Sequence, residues 1–245
     1  MSDPMEALAS MPGASIRYAA DFLDDADQHR IHQQLLEQMQ WSQQHITVFG
    51  KRHLIPRLEA WHGDHGASYR YSGTDHSPHP WTSALEELRI RLGRFREDLQ
   101  FNSVLGNYYR NGDDAMGWHS DDEPELGPEP CIASISLGAA RDFRMKHRTR
   151  KDLDRVKIAL QPGSLLIMVG ETQHHWLHSI PRRRGKNAPM ERVNLTFRNI
   201  LGVERAQSVQ RTQEDSGEGI EIASSALRKS SGGLTWNEYS CWLTG

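Results

Sequence analysis

Two segments in the first hundred residues carry apolar side chains at helical spacing. Ile31, Leu35 and Met39 recur every four residues after Asp24–Asp25, which predicts a helix running to about Met39. Leu85, Leu88, Leu92 and Phe95 form a second apolar stripe after Pro80–Trp81, and Ser83 with Glu86 has the spacing of a capping box at its start. From about residue 100 the period shortens. Phe101–Tyr109, Cys131–Leu137, Asp142–Lys146, Val156–Leu160, Ser164–Val169 and Arg192–Ile200 read as strands separated by Gly, Pro and charged residues. Two helices followed by many strands, without βαβ alternation, predict an α+β fold. The expected form is a double-stranded β-helix (jelly roll) with the N-terminal helices packed on one side.

The ends lack this periodicity. Residues 1–17 are expected to be a flexible N-terminus, and residues 18–201 the folded domain. Residues 203–232 are Gln, Glu, Ser, Gly, Arg and Lys with few large apolar side chains, so 202–245 is expected to be a disordered tail. Its last dozen residues recover Leu234, Trp236, Tyr239, Trp242 and Leu243. The polar ends dilute the hydrophobic content of the 245 residues to 37%, which still leaves the middle rich enough for one core. Only Cys131 and Cys241 are present, with no CxxC, which argues against a disulfide framework or a zinc–thiolate site. With no apolar run long enough for a membrane span and no secretory signal at the start, a soluble, intracellular protein is expected.

The chemistry concentrates in three places. In Trp118-His119-Ser120-Asp121, positions two apart on an extended chain face one side, so His119 and Asp121 can present an imidazole and a carboxylate to one metal ion. HxD alone is weak among thirteen histidines, and a surface His beside acidic residues would explain it equally. A third ligand is available in Trp176-Leu177-His178-Ser179-Ile180-Pro181, with His174 and His175 as rivals. Two His and one carboxylate form the facial triad of non-haem Fe(II), and they also serve zinc hydrolases. The last expected strand, Arg192-Val193-Asn194-Leu195-Thr196-Phe197-Arg198, alternates strictly. One face carries Arg192, Asn194, Thr196 and Arg198, a row that suits a dicarboxylate because guanidinium groups fork onto carboxylates and keep their charge when buried. A triad followed by such a strand fits Fe(II) and 2-oxoglutarate better than it fits a zinc hydrolase.

At these residues the sequence resembles the AlkB family of nucleic-acid dealkylating oxygenases. The shared blocks are Asn107-x-Tyr109, His119-x-Asp121, Trp176-x-His178-x-x-Pro181 and Arg192-x-Asn194-x-Thr196-x-Arg198, in order, within about residues 45–200. The duplex-DNA-active animal branch is the most similar. Val48-Phe49-Gly50-Lys51 resembles its finger loop, and Tyr69-Arg70-Tyr71-Ser72-Gly73 its base-pocket hairpin, within a nucleotide-recognition lid at about 45–75. The resemblance extends to Ile135-Ser136-Leu137-Gly138 and Arg141-Asp142-Phe143. It implies metal ligands His119, Asp121 and His178, which are also the catalytic centre. It further implies a 2-oxoglutarate site of Asn107, Tyr109, Arg192, Asn194, Thr196 and Arg198, with Arg192 on the distal carboxylate and Arg198 near the metal.

The implied reaction uses Fe(II), 2-oxoglutarate and O2 to demethylate N1-methyladenine and N3-methylcytosine, releasing formaldehyde, succinate and CO2. The implied partner is alkylated DNA, double-stranded, bound by a monomer in a nucleus or a bacterial cytoplasm. The alternatives are an RNA demethylase of the same family and a non-catalytic module that binds alkylated DNA. The lesion lies inside the stack, so the base must be flipped or single-stranded. Tyr71 is the expected stacking platform, with Tyr69 and Arg70 beside it, and Phe49, next to Gly50 and Lys51, the wedge that fills the gap. Asp122 and Glu123 are expected to meet the base's exocyclic amine or positive charge. The net charge is −3, but Arg141, Arg144, Lys146, Arg148, Arg150 and Lys151, and Arg182, Arg183, Arg184 and Lys186, form two local basic stretches expected to meet phosphates.

Overall fold

The computed structural model describes residues 5–7, 11–48, 50–67, 69–71, 74–186 and 188–201. Phe49, Ser72–Gly73 and the expected tail at 202–245 lie outside the described residues. The elements run β1 (Glu6–Ala7), β2 (Ser15–Ala19), α1 (Asp25–Gln38), β3 (His45–Val48), β4 (Lys51–Leu54), β5 (Leu58–Gly63), β6 (Tyr69–Tyr71), β7 (Thr74–His76), α2 (Ser83–Phe95), β8 (Ser103–Tyr109) and β9 (Met116–His119). They continue with β10 (Ile132–Gly138), β11 (Arg141–His147), β12 (Val156–Leu160), β13 (Leu165–Val169), α3 (Thr172–His175), β14 (Trp176–Ile180) and β15 (Arg192–Arg198).

The two helices form where the apolar stripes predict them. Asp24 caps α1 by accepting a hydrogen bond from the backbone N–H of Asp27. At α2 the cap is Thr82, whose hydroxyl accepts from Leu85, and not Ser83. Glu86 therefore sits one position too late to close a capping box, and it pairs with Arg89 instead.

Seven antiparallel strands make the larger sheet, in the order β1-β2-β13-β10-β15-β8-β5, and four make the smaller, β12-β11-β14-β9. The expected boundary at residue 17 falls inside β2. Residues 15–19 hold one large aliphatic residue, Ile16, which is too little pattern to announce a strand. Pairing with β13 from Ser15↔Val169 to Ala19↔Leu165 supplies the order that periodicity does not show. The pairs β3–β4 and β6–β7 are separate two-stranded hairpins.

Side chains divide at the larger sheet. Leu165 and Ile167 of β13, Ile135 and Leu137 of β10, and Val193, Leu195 and Phe197 of β15 join Ile31, Leu35, Leu85, Leu88 and Leu92 of the helices in one core. Leu166 and Met168 point the other way and meet Phe143, Met145, Ile158 and Leu160 of the smaller sheet in a second. Both faces of the central strands are thus covered, which explains the near-continuous burial of β10, β13 and β15. The polar row of β15 has to lie between the sheets. No helix among the described residues is long and apolar enough to cross a membrane.

Leu88 is fully buried under the helix layer. Leu88→Ala should lower the unfolding free energy by about 2–5 kcal/mol, read as a lower urea midpoint at unchanged slope. A loss below about 1 kcal/mol, the range of surface substitutions, would show that α2 does not pack as described.

Candidate active site

β9 ends at His119, and β14 pairs with it so that His178 lies directly opposite. This register brings the two imidazole rings to 4.2 Å between centroids. Asp121, two residues beyond β9, places Oδ2 3.7 Å from His178 Nε2. One ligand atom from each of His119, Asp121 and His178 lies within 4.8 Å of the others. The rivals fall away. His174 is exposed and its Nε2 meets the carbonyl of Pro128, while His175 faces Glu171 at 3.5 Å.

Each ligand is held from behind. His119 Nδ1 donates to the Gly117 carbonyl at 2.9 Å, which leaves Nε2 as the lone pair for a metal. His178 takes its orientation from Phe143, stacked on it at 5.1 Å and 23°. The backbone N–H of Asp121 donates to Oε1 of the fully buried Gln173, 3.0 Å away. Arg148 donates to Ser120 Oγ at 2.6 Å and to Asp122 Oδ2 at 2.7 Å.

The protonation states suit a cation. Burial works to raise the Asp121 pKa, but Arg198 above all, and then His178 and His119, hold it below the ordinary carboxylate value. Burial lowers the pKa of His119, and burial followed by the charge of His119 lowers that of His178 to about 3. At neutral pH the group is therefore one carboxylate and two neutral imidazoles, the state that binds a divalent metal.

A pocket opens beside the triad, lined by Asn107, Tyr109, Met116, Ser134, Phe143, Met168, Ile180, Asn194, Thr196 and Arg198. Asn194, Thr196 and Arg198 of the polar row of β15 line it, and Arg192 lies behind its Tyr109 wall. Arg198 is at the metal end, ion-paired with Asp121. Arg192 is at the other end, fully buried against the Tyr109 ring, with its guanidinium carbon 5.2 Å from the centroid. Burial depresses the Arg192 pKa to about 10, so it stays charged at neutral pH. Its NH2 donates to Ser136, but its Nε and other terminal nitrogen are buried and make no hydrogen bond among the described residues. Unmet cationic donors are costly and call for an anion. The donor set thus fits a dicarboxylate spanning Arg198 to Arg192, and the triad fits a metal. Asn194 lines the pocket, yet both its amide protons go to Ser134 Oγ and the Ile135 carbonyl, so it braces β15 against β10.

The substrate residues expected from sequence are not among those that line this pocket. Lys51 is exposed on β4, all of which faces solvent, and Gly50 (φ 74°) lies in the turn before it. Tyr69, Arg70 and Tyr71 form β6. Asp122 is tied to Arg148, and Glu123 lies 3.8 Å from Arg198, its pKa raised by burial. The first basic stretch is not uniformly a phosphate surface. Arg141 is buried and donates to the carbonyls of Asn111, Asp114 and Pro181, Arg148 is occupied by Asp122 and Ser120, and Arg150 pairs with Asp152. Ser134, Ser136, Gln173 and Arg57 were not anticipated as site residues. The two serines alternate within the run Ile132–Leu137, which is the signal that could have marked β10 as facing the pocket.

Residues 15–198 match the family described as the 2OG-Fe(II) oxygenase superfamily. The chain belongs to that superfamily. Its similarity to AlkB proteins places it in their family. It is 46% identical over 162 residues to "DNA oxidative demethylase ALKBH2" of Mus musculus, covering 64% of this chain and 66% of that protein. It is 40% identical over 187 residues to "Alpha-ketoglutarate-dependent dioxygenase alkB homolog 3" of Homo sapiens, covering 73% and 64%. With the Arabidopsis thaliana "DNA oxidative demethylase ALKBH2" the identity is 32% over 215 residues, covering 77% and 67%. The chain thus spans about two-thirds of the length of these curated relatives. The solved structure titled "The structure of OsALKBH1" superposes with a TM-score of 0.58 at 20% identity, covering 80% of this chain and 100% of that one, which shows a shared fold. The cofactors of a superfamily so named are Fe(II) and 2-oxoglutarate, with O2 as oxidant, and the triad and the pocket fit the first two.

His178→Ala should weaken Mn(II) binding by at least about 100-fold, beyond the cost of losing an outer-shell partner. His174→Ala and His175→Ala should leave it within about twofold. Isothermal titration of the three variants checks this, and a large loss in either rival would reassign the third ligand.

Proposed function

We propose that the protein is a dioxygenase that demethylates N1-methyladenine and N3-methylcytosine in DNA, with duplex DNA as the preferred form. The observation that carries this is the juxtaposition of the His119–Asp121–His178 group with a pocket whose Tyr109 wall is backed by a buried guanidinium with two nitrogens unmet. The relatives named as DNA oxidative demethylases support the choice of substrate.

When bound, Fe(II) with 2-oxoglutarate and O2 supplies the oxidation that converts an N-methyl group to N-hydroxymethyl, which then loses formaldehyde. The chain's own residues place the partners. His119, Asp121 and His178 would hold the metal on one face and leave the other open. Arg192 and Tyr109 would take the distal carboxylate, and Arg198 and Asn107 the end near the metal. Asp122, held by Arg148 and next in the chain to the metal residue Asp121, would accept a hydrogen bond from an exocyclic amine. The hairpin β3–β4 offers Lys51 and Arg52 to solvent, two cations suited to phosphates and joined to the body through β5. Phe49 would act as the wedge. These roles imply a protein that works inside the cell, where nucleic acid is.

A duplex oligomer carrying N1-methyladenine should release formaldehyde only with Fe(II) and 2-oxoglutarate, and His119→Ala should abolish the release. Consumption of 2-oxoglutarate without formaldehyde from either this or an N3-methylcytosine duplex would move the substrate to RNA or protein. Phe49→Ala should reduce turnover on duplex more than on single strands. Equal losses on the two would remove the wedge role.

A further inference from the structure

Arg57 is a buried arginine that the roles above leave unused. It lies just after β4 and before β5, is 5% exposed, and is not among the residues lining the pocket. Its NH2 is ion-paired with Glu59, two residues on, so the pair is close to neutral. Its Nε donates to Asn107 Oδ1 at 2.7 Å, a buried side-chain hydrogen bond. Asn107 stands on β8 between its partners Glu59 of β5 and Asn194 of β15, and it lines the pocket beside the triad.

The chemistry of this bond is directional. A guanidinium can only donate, so the atom of Asn107 that meets it must be the carbonyl oxygen. The amide nitrogen, with two protons, is then what Asn107 can offer the pocket. Turned the other way, Asn107 would present a carbonyl oxygen to a carboxylate and repel it. Among the hydrogen bonds of the described residues, the one from Arg57 sets the orientation of the Asn107 amide.

We propose that Arg57 is the positioning residue that fixes the Asn107 amide with its N–H2 toward the metal-end carboxylate of 2-oxoglutarate. This rests on the pocket being a 2-oxoglutarate site. Arg57 acts on the co-substrate through Asn107; Glu59 offsets much of its charge, and the part that still reaches His119 bears on the metal side and not on the orientation of the amide. Its place at the root of the β3–β4 hairpin also ties the lid's attachment to the co-substrate pocket: the Pro56 carbonyl accepts from Ala115 N–H, 2.8 Å away, in the segment leading to β9.

The test is 2-oxoglutarate binding to the Mn(II)-loaded full chain by calorimetry, without turnover. Arg57→Met should weaken 2-oxoglutarate by about tenfold or more, the scale of outer-shell partners, while Mn(II) affinity without 2-oxoglutarate does not fall, since losing a positive charge that reaches His119 can only favour a dication. Asn107→Ala should cost a similar factor. The double variant should be no weaker than Asn107→Ala alone, because the two act through one contact. If Arg57→Met fails to fold, Arg57→Lys serves. It keeps a charge opposite Glu59, lacks Nε, and should weaken binding in the same direction and fail to add to Asn107→Ala. Wild type that does not bind 2-oxoglutarate overturns the co-substrate assignment and this inference with it. Wild type that binds, with the Arg57 variant within about twofold or with fully additive losses, overturns the role of Arg57 alone.

Discussion

β15 is covered on both faces, and it alternates between two kinds of side chain. Val193, Leu195 and Phe197 are claimed by the helices, so Arg192, Asn194, Thr196 and Arg198 are committed to the space between the sheets. A shift of register by one residue would drive two guanidinium groups under α1 and α2, at a cost far above the gain of any contact there. The helix layer therefore does more than bury apolar area. By occupying one face of the strand it fixes the polarity of the other, and the pocket follows. Ser134 and Ser136 on β10 belong to the same constraint, since the polar row needs acceptors on the neighbouring strand and finds them there.

Between the sheets the charges are arranged unevenly. At the metal end Arg198 and Asp121 neutralise one another, with two neutral imidazoles beside them. Away from it Arg192 meets the Tyr109 ring and the Ser136 hydroxyl, with no carboxylate paired to it among the described residues. A second guanidinium, Arg141, lies on the Tyr109 ring at 5.4 Å and adds repulsion to the burial of Arg192. Arg141 spends its donors on backbone carbonyls, which Arg192 does not. An anion entering the pocket is thus drawn to the far end. A dication at the triad would draw its other end, because Asp121 already carries a charge stabilised against burial.

Much of this was legible in the chain. The helices and the six strands after residue 100 announce themselves because each has a buried face with regular spacing. The polar row of β15 was visible because the strand is long and strict. β9 and β14, which carry the metal residues, did not read as strands. Met116-Gly117-Trp118-His119 has no apolar alternation, and its order comes from pairing with β14 across a bulge. Spacing alone left His178 beside His174 and His175; the family motif chose it, and the structure groups it with His119 and Asp121. Gln173 and Arg57 carried no local signal at all. Their roles depend on partners 52 and 50 residues away, and a lone polar residue in sequence says nothing about what it will face.

The same limit applies to charge. A run of cations in sequence counts every arginine as a surface group, and here several are not. Arg141 is sealed inside, and Arg148 holds the loop that follows His119. The exposed cations include Lys51 and Arg52 on the hairpin, Arg144, Arg150 and Lys151 on or beyond β11, and Arg182, Arg183, Arg184 and Lys186 after β14. They sit on three elements and not in one stretch. A backbone that met all three would be contacted from separate directions, which orients a strand better than a single basic loop could.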